Sequence, residues 1–149
     1  VTGVVVLVVA VVAALAFGVW RRLTDGRFAA SAPGAPSDAP GLPAPAPAGL
    51  LAGTEFADRL GERATLLQFS SAFCAPCRAT RQVLAGVAET VPGVAHVEVD
   101  AEQHLALVRR LEVMRTPTTI VLDARGDEIT RASGAPSKQQ VLAALDSAL

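Results

Sequence analysis

The residues of this 149-residue chain best suited to chemistry are its two cysteines, Cys74 and Cys77, separated by Ala75-Pro76. Where Cys74 opens a helix, unpaired backbone N–H groups and the positive end of the helix dipole favour its thiolate, lowering a thiol pKa of about 8.5. Cys77 then lies one turn on, close enough to close a disulfide and, when reduced, to donate its S–H to that thiolate. Pro76 falls in the first turn, where its missing N–H costs nothing. The spacing therefore reads as an attacking cysteine followed by a resolving one. The same two residues could instead form a structural dithiol or half of a zinc site completed by His96 and His104. A zinc site needs four converging ligands, and those histidines fall on a strand and a following helix with no second Cys-x-x-Cys in the chain, so no metal is expected.

The elements that must hold this pair follow from two alternating hydrophobic periods. Thr54 reads as the cap of a short helix over 55–61, and Thr65 to Ser70 is an apolar run of strand length. From Ala75 to Thr90 the three- and four-residue recurrence of Val83, Leu84 and Val87 predicts a helix stopped by Pro92-Gly93. Val94 to Val99 alternates as a strand with one wetter face, and 102–111 returns to helical spacing. Thr118 to Leu122 and Glu128 to Ala132 read as a hairpin across Ala124-Arg125-Gly126-Asp127. Ser137 with Gln140 is a capping box for a last helix whose stripe is Val141, Leu142, Leu145 and Leu149. The order α-β-α-β-α-β-β-α implies a mixed sheet flanked by helices, and it places the cysteines where the first strand hands over to the long helix.

Phe73-Cys74-Ala75-Pro76-Cys77-Arg78 resembles the WCGPCK active-site segment of thioredoxins, and Arg115-Thr116-Pro117-Thr118 resembles the loop that carries their cis-proline. Val97-Glu98-Val99-Asp100 is similar to the family's central strand, and Gly134 falls where the family keeps a glycine after its last hairpin. The resemblance spans about residues 54–149. It implies a thioredoxin-like α/β fold, with Cys74 as nucleophile, Cys77 as resolving thiol, and Pro117 in cis lining a substrate groove. In that groove Thr116 would offer backbone hydrogen bonds, beside Phe73, Ala75 and Pro76. No cofactor beyond the Cys74–Cys77 pair is implied.

The departures from the family pattern bear on rate. The buried aspartate that thioredoxins usually carry six residues before the first cysteine is here Gln68, which cannot take up a proton near neutral pH. The nearby lysine position holds His96, Ser70 and Phe73 replace two tryptophans, and Gln82 stands for a helix-kinking proline. Slower deprotonation of Cys77 is the expected result.

The rest of the chain concerns location. Hydrophobic residues make up 51% and aromatic residues 4%, the net charge is −1, and the mean hydropathy is +0.41. A near-neutral chain gives no electrostatic case for nucleic acid. The apolar excess is concentrated in the first 20 residues, which carry no charge and end in Trp20, followed by Arg21 and Arg22, the ring and cations expected at a membrane interface. A single-pass transmembrane anchor over 1–22 is the leading reading. Ala14-Leu15-Ala16 imitates a signal-peptide cleavage site, but the basic cluster lies after the apolar run and not before it. Arg21, Arg22 and Arg27 against Asp25 favour a cytoplasmic soluble domain by the positive-inside rule. Eight alanines and six prolines among residues 29–48 mark the heart of a linker over 23–49, with a reach of some 60 Å as polyproline II. Residues 50–149 are then the folded domain.

The expectation is a membrane-anchored thiol–disulfide oxidoreductase of the protein-disulfide reductase type, serving redox homeostasis. Its partners would be protein disulfides and an electron-donating reductase or membrane dithiol carrier. A same-chemistry alternative is an extracytoplasmic reductase of the kind that keeps apocytochrome thiols reduced, or a disulfide oxidase or isomerase. An alternative of another class is a thioredoxin-like binding module whose cysteines are secondary.

Overall fold

The computed structural model describes residues 2–30 and 49–148. The first element, α1 (Thr2–Thr24), is exposed along its described length, and its Gly3–Arg21 stretch has a mean hydropathy of 2.8, long and apolar enough to cross a membrane. It is a candidate transmembrane span. Near its end the Thr24 hydroxyl donates back to the Trp20 carbonyl at 2.9 Å.

The domain is built on β1 (Phe28–Ala30), β2 (Ala64–Ser70), β3 (Val94–Asp100), β4 (Thr118–Asp123) and β5 (Glu128–Ser133), in the spatial order β1-β5-β4-β2-β3. β2 and β3 are parallel and every other pairing is antiparallel. All seven residues of β2 are buried, as a central strand covered on both faces requires. Its side chains alternate between two cores. Leu67 and Phe69 join Val97, Val99, Ile120 and Leu122 on the face covered by Phe56, Leu107 and Leu111, whereas Leu66 packs with Leu84, Val87, Val141 and Leu145 on the other. The helices α2 (Ala75–Thr90) and α4 (Lys138–Asp146) supply that second layer, and α3 (Leu105–Arg110) covers the first. The capping box at α4 is present in both directions, with Ser137 N donating to Gln140 Oε1 at 2.7 Å and Gln140 N donating to Ser137 Oγ at 3.3 Å.

Three sequence expectations need correction. The helix expected over 55–61 is a single 3₁₀ turn, Ala57–Arg59, because Thr54 does not cap it: the Thr54 hydroxyl donates to Leu51 O at 2.6 Å and accepts from Phe56 N, a local turn that competes with a helix start. The helix expected from 102 begins at Leu105, because the Asp100 carboxylate accepts from Glu102 N at 2.8 Å and from the Gln103 side chain, holding that stretch as a turn. The third concerns 23–49, expected as linker throughout. Phe28–Ala30 pairs with Ala132–Thr130 as an edge strand, and α1 runs to Thr24, so the sheet starts before the Ala/Pro-rich stretch. The extended spacer expected over 29–48 lies, apart from its first two residues, outside the described residues, as does Leu149.

Candidate active site

α2 starts where β2 ends, and its first residues carry the cysteines. Cys74 is the N-cap in extended conformation, and its sulfur accepts from Cys77 N at 3.1 Å. Its position satisfies an orphan donor of the helix start and puts the sulfur at the positive end of the dipole. Cys74 and Cys77 form a disulfide with a Cα–Cα distance of 5.1 Å. The two sulfurs are not equivalent, since Cys77 is buried and Cys74 half-buried. Beside them opens a recess of about 390 Å³ lined by Ser70, Ser71, Arg78, Arg81, Glu98 and Asp100 among others.

The second loop meets the first through side chains. Ser71 Oγ lies 3.1 Å from Thr116 Oγ1, and the Thr116–Pro117 peptide is cis, with Pro117 buried and Thr116 half-buried. Pro117 O accepts from Gly134 N at 2.8 Å, joining the end of β5 to the same cluster. Phe73, Ala75 and Pro76 are exposed around the disulfide, Phe73 fully at 101%. Met114, 91% exposed on the loop leading to Pro117, adds an apolar side chain that the sequence reading passed over. Its only signal was its place beside Arg115-Thr116-Pro117.

Beneath the cysteines runs a polar network. Gln68 is fully buried, and its amide nitrogen donates to Cys77 O at 3.0 Å and to Ser70 Oγ at 2.9 Å. Its amide oxygen is 3.0 Å from His96 Nε2 and must accept there, so His96 carries a proton on Nε2. Ser70 in turn donates to Glu98 Oε1 at 2.6 Å, and Arg81 grips both Glu98 oxygens at 2.6 Å. Burial pushes the Glu98 carboxyl up, but the hydrogen bonds from Arg81 and Ser70 and the Arg81 charge outweigh it, holding the carboxyl below its ordinary value. The His96 pKa is lowered too, which for a base disfavours the charged form: burial lowers it most, Arg81 and Arg59 add to that, and Glu98 opposes. Gln68 and His96 are thus brought together under Cys77. Arg81 and Glu98 were missed as site residues, although Arg81 follows Cys77 by four on one helix face and Glu98 shares a strand face with His96.

His104 is elsewhere, at the start of α3, with its ring edge-on to Phe56 and Nδ1 3.7 Å from Glu55. Among the described residues no group of three or more His, Cys, Asp or Glu could hold a metal ion.

A cysteine pair at a helix start, faced by a Thr-cis-Pro loop on a mixed sheet, defines a thiol–disulfide exchange site. The family model described as Thioredoxin matches residues 49–147, and the chain belongs to the thioredoxin family. The fold is similar to those of solved thioredoxins. A point mutant of the Halobacterium salinarum protein has a TM-score of 0.55 at 21% identity, covering 58% of this chain and 75% of that one. The reduced thioredoxin pre-protein of Schistosoma mansoni gives 0.54 at 18%, covering 62% and 85%, and Fasciola hepatica thioredoxin 0.53 at 24%, covering 62% and 86%. No match was found among curated proteins.

Proposed function

We propose that this chain is a membrane-anchored protein-disulfide reductase that works through Cys74 and Cys77. The observation that carries the reading is the unequal placement of the two sulfurs, Cys74 at the helix N-cap and reachable, Cys77 behind it and buried. In the reduced protein the Cys74 thiolate attacks one sulfur of a substrate disulfide, forming a mixed disulfide and releasing the other sulfur as a thiolate. Cys77 then loses its proton and attacks Cys74, expelling the second substrate thiolate and closing Cys74–Cys77. Two electrons pass to the substrate, whose thiolates take up two protons. The pair is restored by another dithiol or by a flavin-dependent reductase, with no bound cofactor.

Phe73, Ala75, Pro76, Thr116 and Pro117 form the surface that receives an extended substrate segment, and the Thr116 backbone supplies its hydrogen bonds. Gln68 and His96 modulate the second step, because neither the neutral amide nor an imidazole whose protonation burial opposes is a strong acceptor for the Cys77 proton. α1 anchors the protein in the membrane, and Arg21, Arg22 and Arg27 favour the cytoplasmic side. Insulin reduction by purified full-length protein, with dithiothreitol as donor, tests the chemistry: a Cys74→Ser variant that still reduced insulin would end it. Labelling of intact and lysed cells with an impermeant maleimide, before and after reduction, tests the side.

A further inference from the structure

The recess beside the disulfide is lined by both cysteines and by charged residues of two elements, Arg78 and Arg81 in the first turns of α2 and Glu98 and Asp100 at the end of β3. None of Phe73, Ala75, Pro76, Thr116 and Pro117, the surface assigned to a protein substrate, contributes to its lining. Cys74 is therefore approached from two surfaces. At about 390 Å³ the recess falls near the lower end of the range for small-molecule pockets, about 300–1,000 Å³. It has room for one small disulfide and none for a folded chain.

The four charges are not equally engaged. Arg81 holds both Glu98 oxygens at 2.6 Å and Ser70 donates to one of them, so that pair neutralises itself. The exposed Arg78 guanidinium has no hydrogen bond or ion pair among the described residues. Asp100, half-buried, accepts from Glu102 N at 2.8 Å and from the Gln103 side chain at 3.0 Å, both neutral donors, and has no cation beside it among the described residues. A cation from the helix and an anion from the strand end thus line one small space, each without a counter-ion. The positive end of the α2 dipole adds to the preference for a carboxylate near Arg78. A ligand that neutralises both must carry a carboxylate and an ammonium together, and only a ligand that also carries reactive sulfur makes use of walls formed by Cys74 and Cys77.

We propose that this recess binds a low-molecular-weight disulfide with amino-acid ends, its carboxylate on Arg78 and its ammonium on Asp100, and that the reduced cysteine pair cleaves it. The proposal rests on the reductase reading above and adds a second class of substrate to it. The Cys74 thiolate attacks one sulfur of the bound disulfide, forming a mixed disulfide and releasing one small thiolate. Cys77, once deprotonated, attacks Cys74 and expels the second small thiolate, closing Cys74–Cys77. Two electrons leave the cysteine pair, and the two small thiolates take up two protons. Charge selects the ligand. A disulfide with only carboxylate ends gains Arg78 but meets Asp100, one with only ammonium ends gains Asp100 but meets Arg78 and the dipole, and a neutral one gains neither. The zwitterion satisfies both.

The test follows oxidation of the pre-reduced full-length protein, in detergent, by four small disulfides: cystine, cystamine with ammonium ends alone, dithiodipropionate with carboxylate ends alone, and neutral hydroxyethyl disulfide. Loss of maleimide-reactive cysteine gives each rate, which is divided by the rate of the same disulfide with free dithiothreitol to remove intrinsic reactivity. The normalised rate for cystine should exceed the other three several-fold. Arg78→Gln should remove that lead, and so should Asp100→Asn, which keeps an acceptor for Glu102 N while removing the charge. Arg78 is exposed, so its replacement tests the proposal even where the Asp100 variant does not fold. Normalised rates that agree within twofold, a lead for dithiodipropionate or cystamine, or a cystine lead that survives Arg78→Gln overturns the proposal while insulin reduction continues. Failure of all four disulfides together with failure of insulin reduction would instead remove the reductase reading, and the proposal with it.

Discussion

The amide nitrogen of Gln68 donates to the carbonyl oxygen of Cys77 at 3.0 Å, so a fully buried neutral side chain is bonded to the residue that, in the proposed exchange, loses a proton in the second half. A Gln68→Asp substitution puts a titratable acceptor there. It should speed insulin reduction at pH 7 by about tenfold, below the ~10²-fold that a fully engaged general base supplies. The pH–rate profile should gain an ionisation absent from the parent, and an unchanged rate and profile would remove the role assigned to Gln68.

Cys77→Ser leaves the reachable sulfur in place and takes away the buried one. With a disulfide-bonded protein substrate, this variant should accumulate a mixed disulfide through Cys74, visible as a reducible higher-mass species on non-reducing gels. Cys74→Ser should accumulate none.

Glu98 makes a pH prediction whose sign follows from its lowered pKa. The folded protein holds the proton less tightly than the unfolded chain, so Glu98 contributes stability that is present above about pH 4.3, the unfolded value, and lost as pH falls through the depressed folded value. Glu98→Gln should therefore lower the urea midpoint at pH 7, and the gap to the parent should close below pH 4. His96, also lowered, adds a loss of stability as pH falls below about 6.5. A His96→Gln variant should show a flatter profile between pH 6.5 and 5.

Gly26→Ala should loosen the turn between α1 and β1. A methyl group at that site collides with backbone, and the positive φ is strained for any side chain, which together cost about 1–3 kcal/mol. Amide exchange in Phe28–Ala30 should accelerate while α2 and β2 are unaffected. Equal protection of β1 in both proteins would count against the close fit.

Much of the site was legible because it depends on local chemistry. An N-cap cysteine, a first-turn proline, a Thr-Pro step and a Ser-x-x-Gln box each act within a few residues, and α2 and α4 start where those signals place them. What escaped is what the chain assembles from distant parts. Arg81 and Glu98 are 17 residues apart, and their pairing exists only because β3 lies beside β2 under α2. Phe28–Ala30 escaped for another reason: three residues are too few to show a period, and two of them are alanines that merge with the composition that follows. Asp100 and Thr54 misled because short polar side chains can satisfy the backbone locally and so deny a helix its first turn.

The early position of β1 also decides how the rest of the domain could part from α1. Residues 31–48 join β1 to the remainder of the domain, so a protease that cuts among them severs the covalent path between α1 and the cysteines. The cysteine-bearing portion would then be held to α1 by non-covalent means: the three-residue ladder to β5, the Gly26–Ser133 bond and the Asp25–Arg115 pair. Release would be governed by the off-rate of a strand, and the departing domain would expose the unpaired edge of β5.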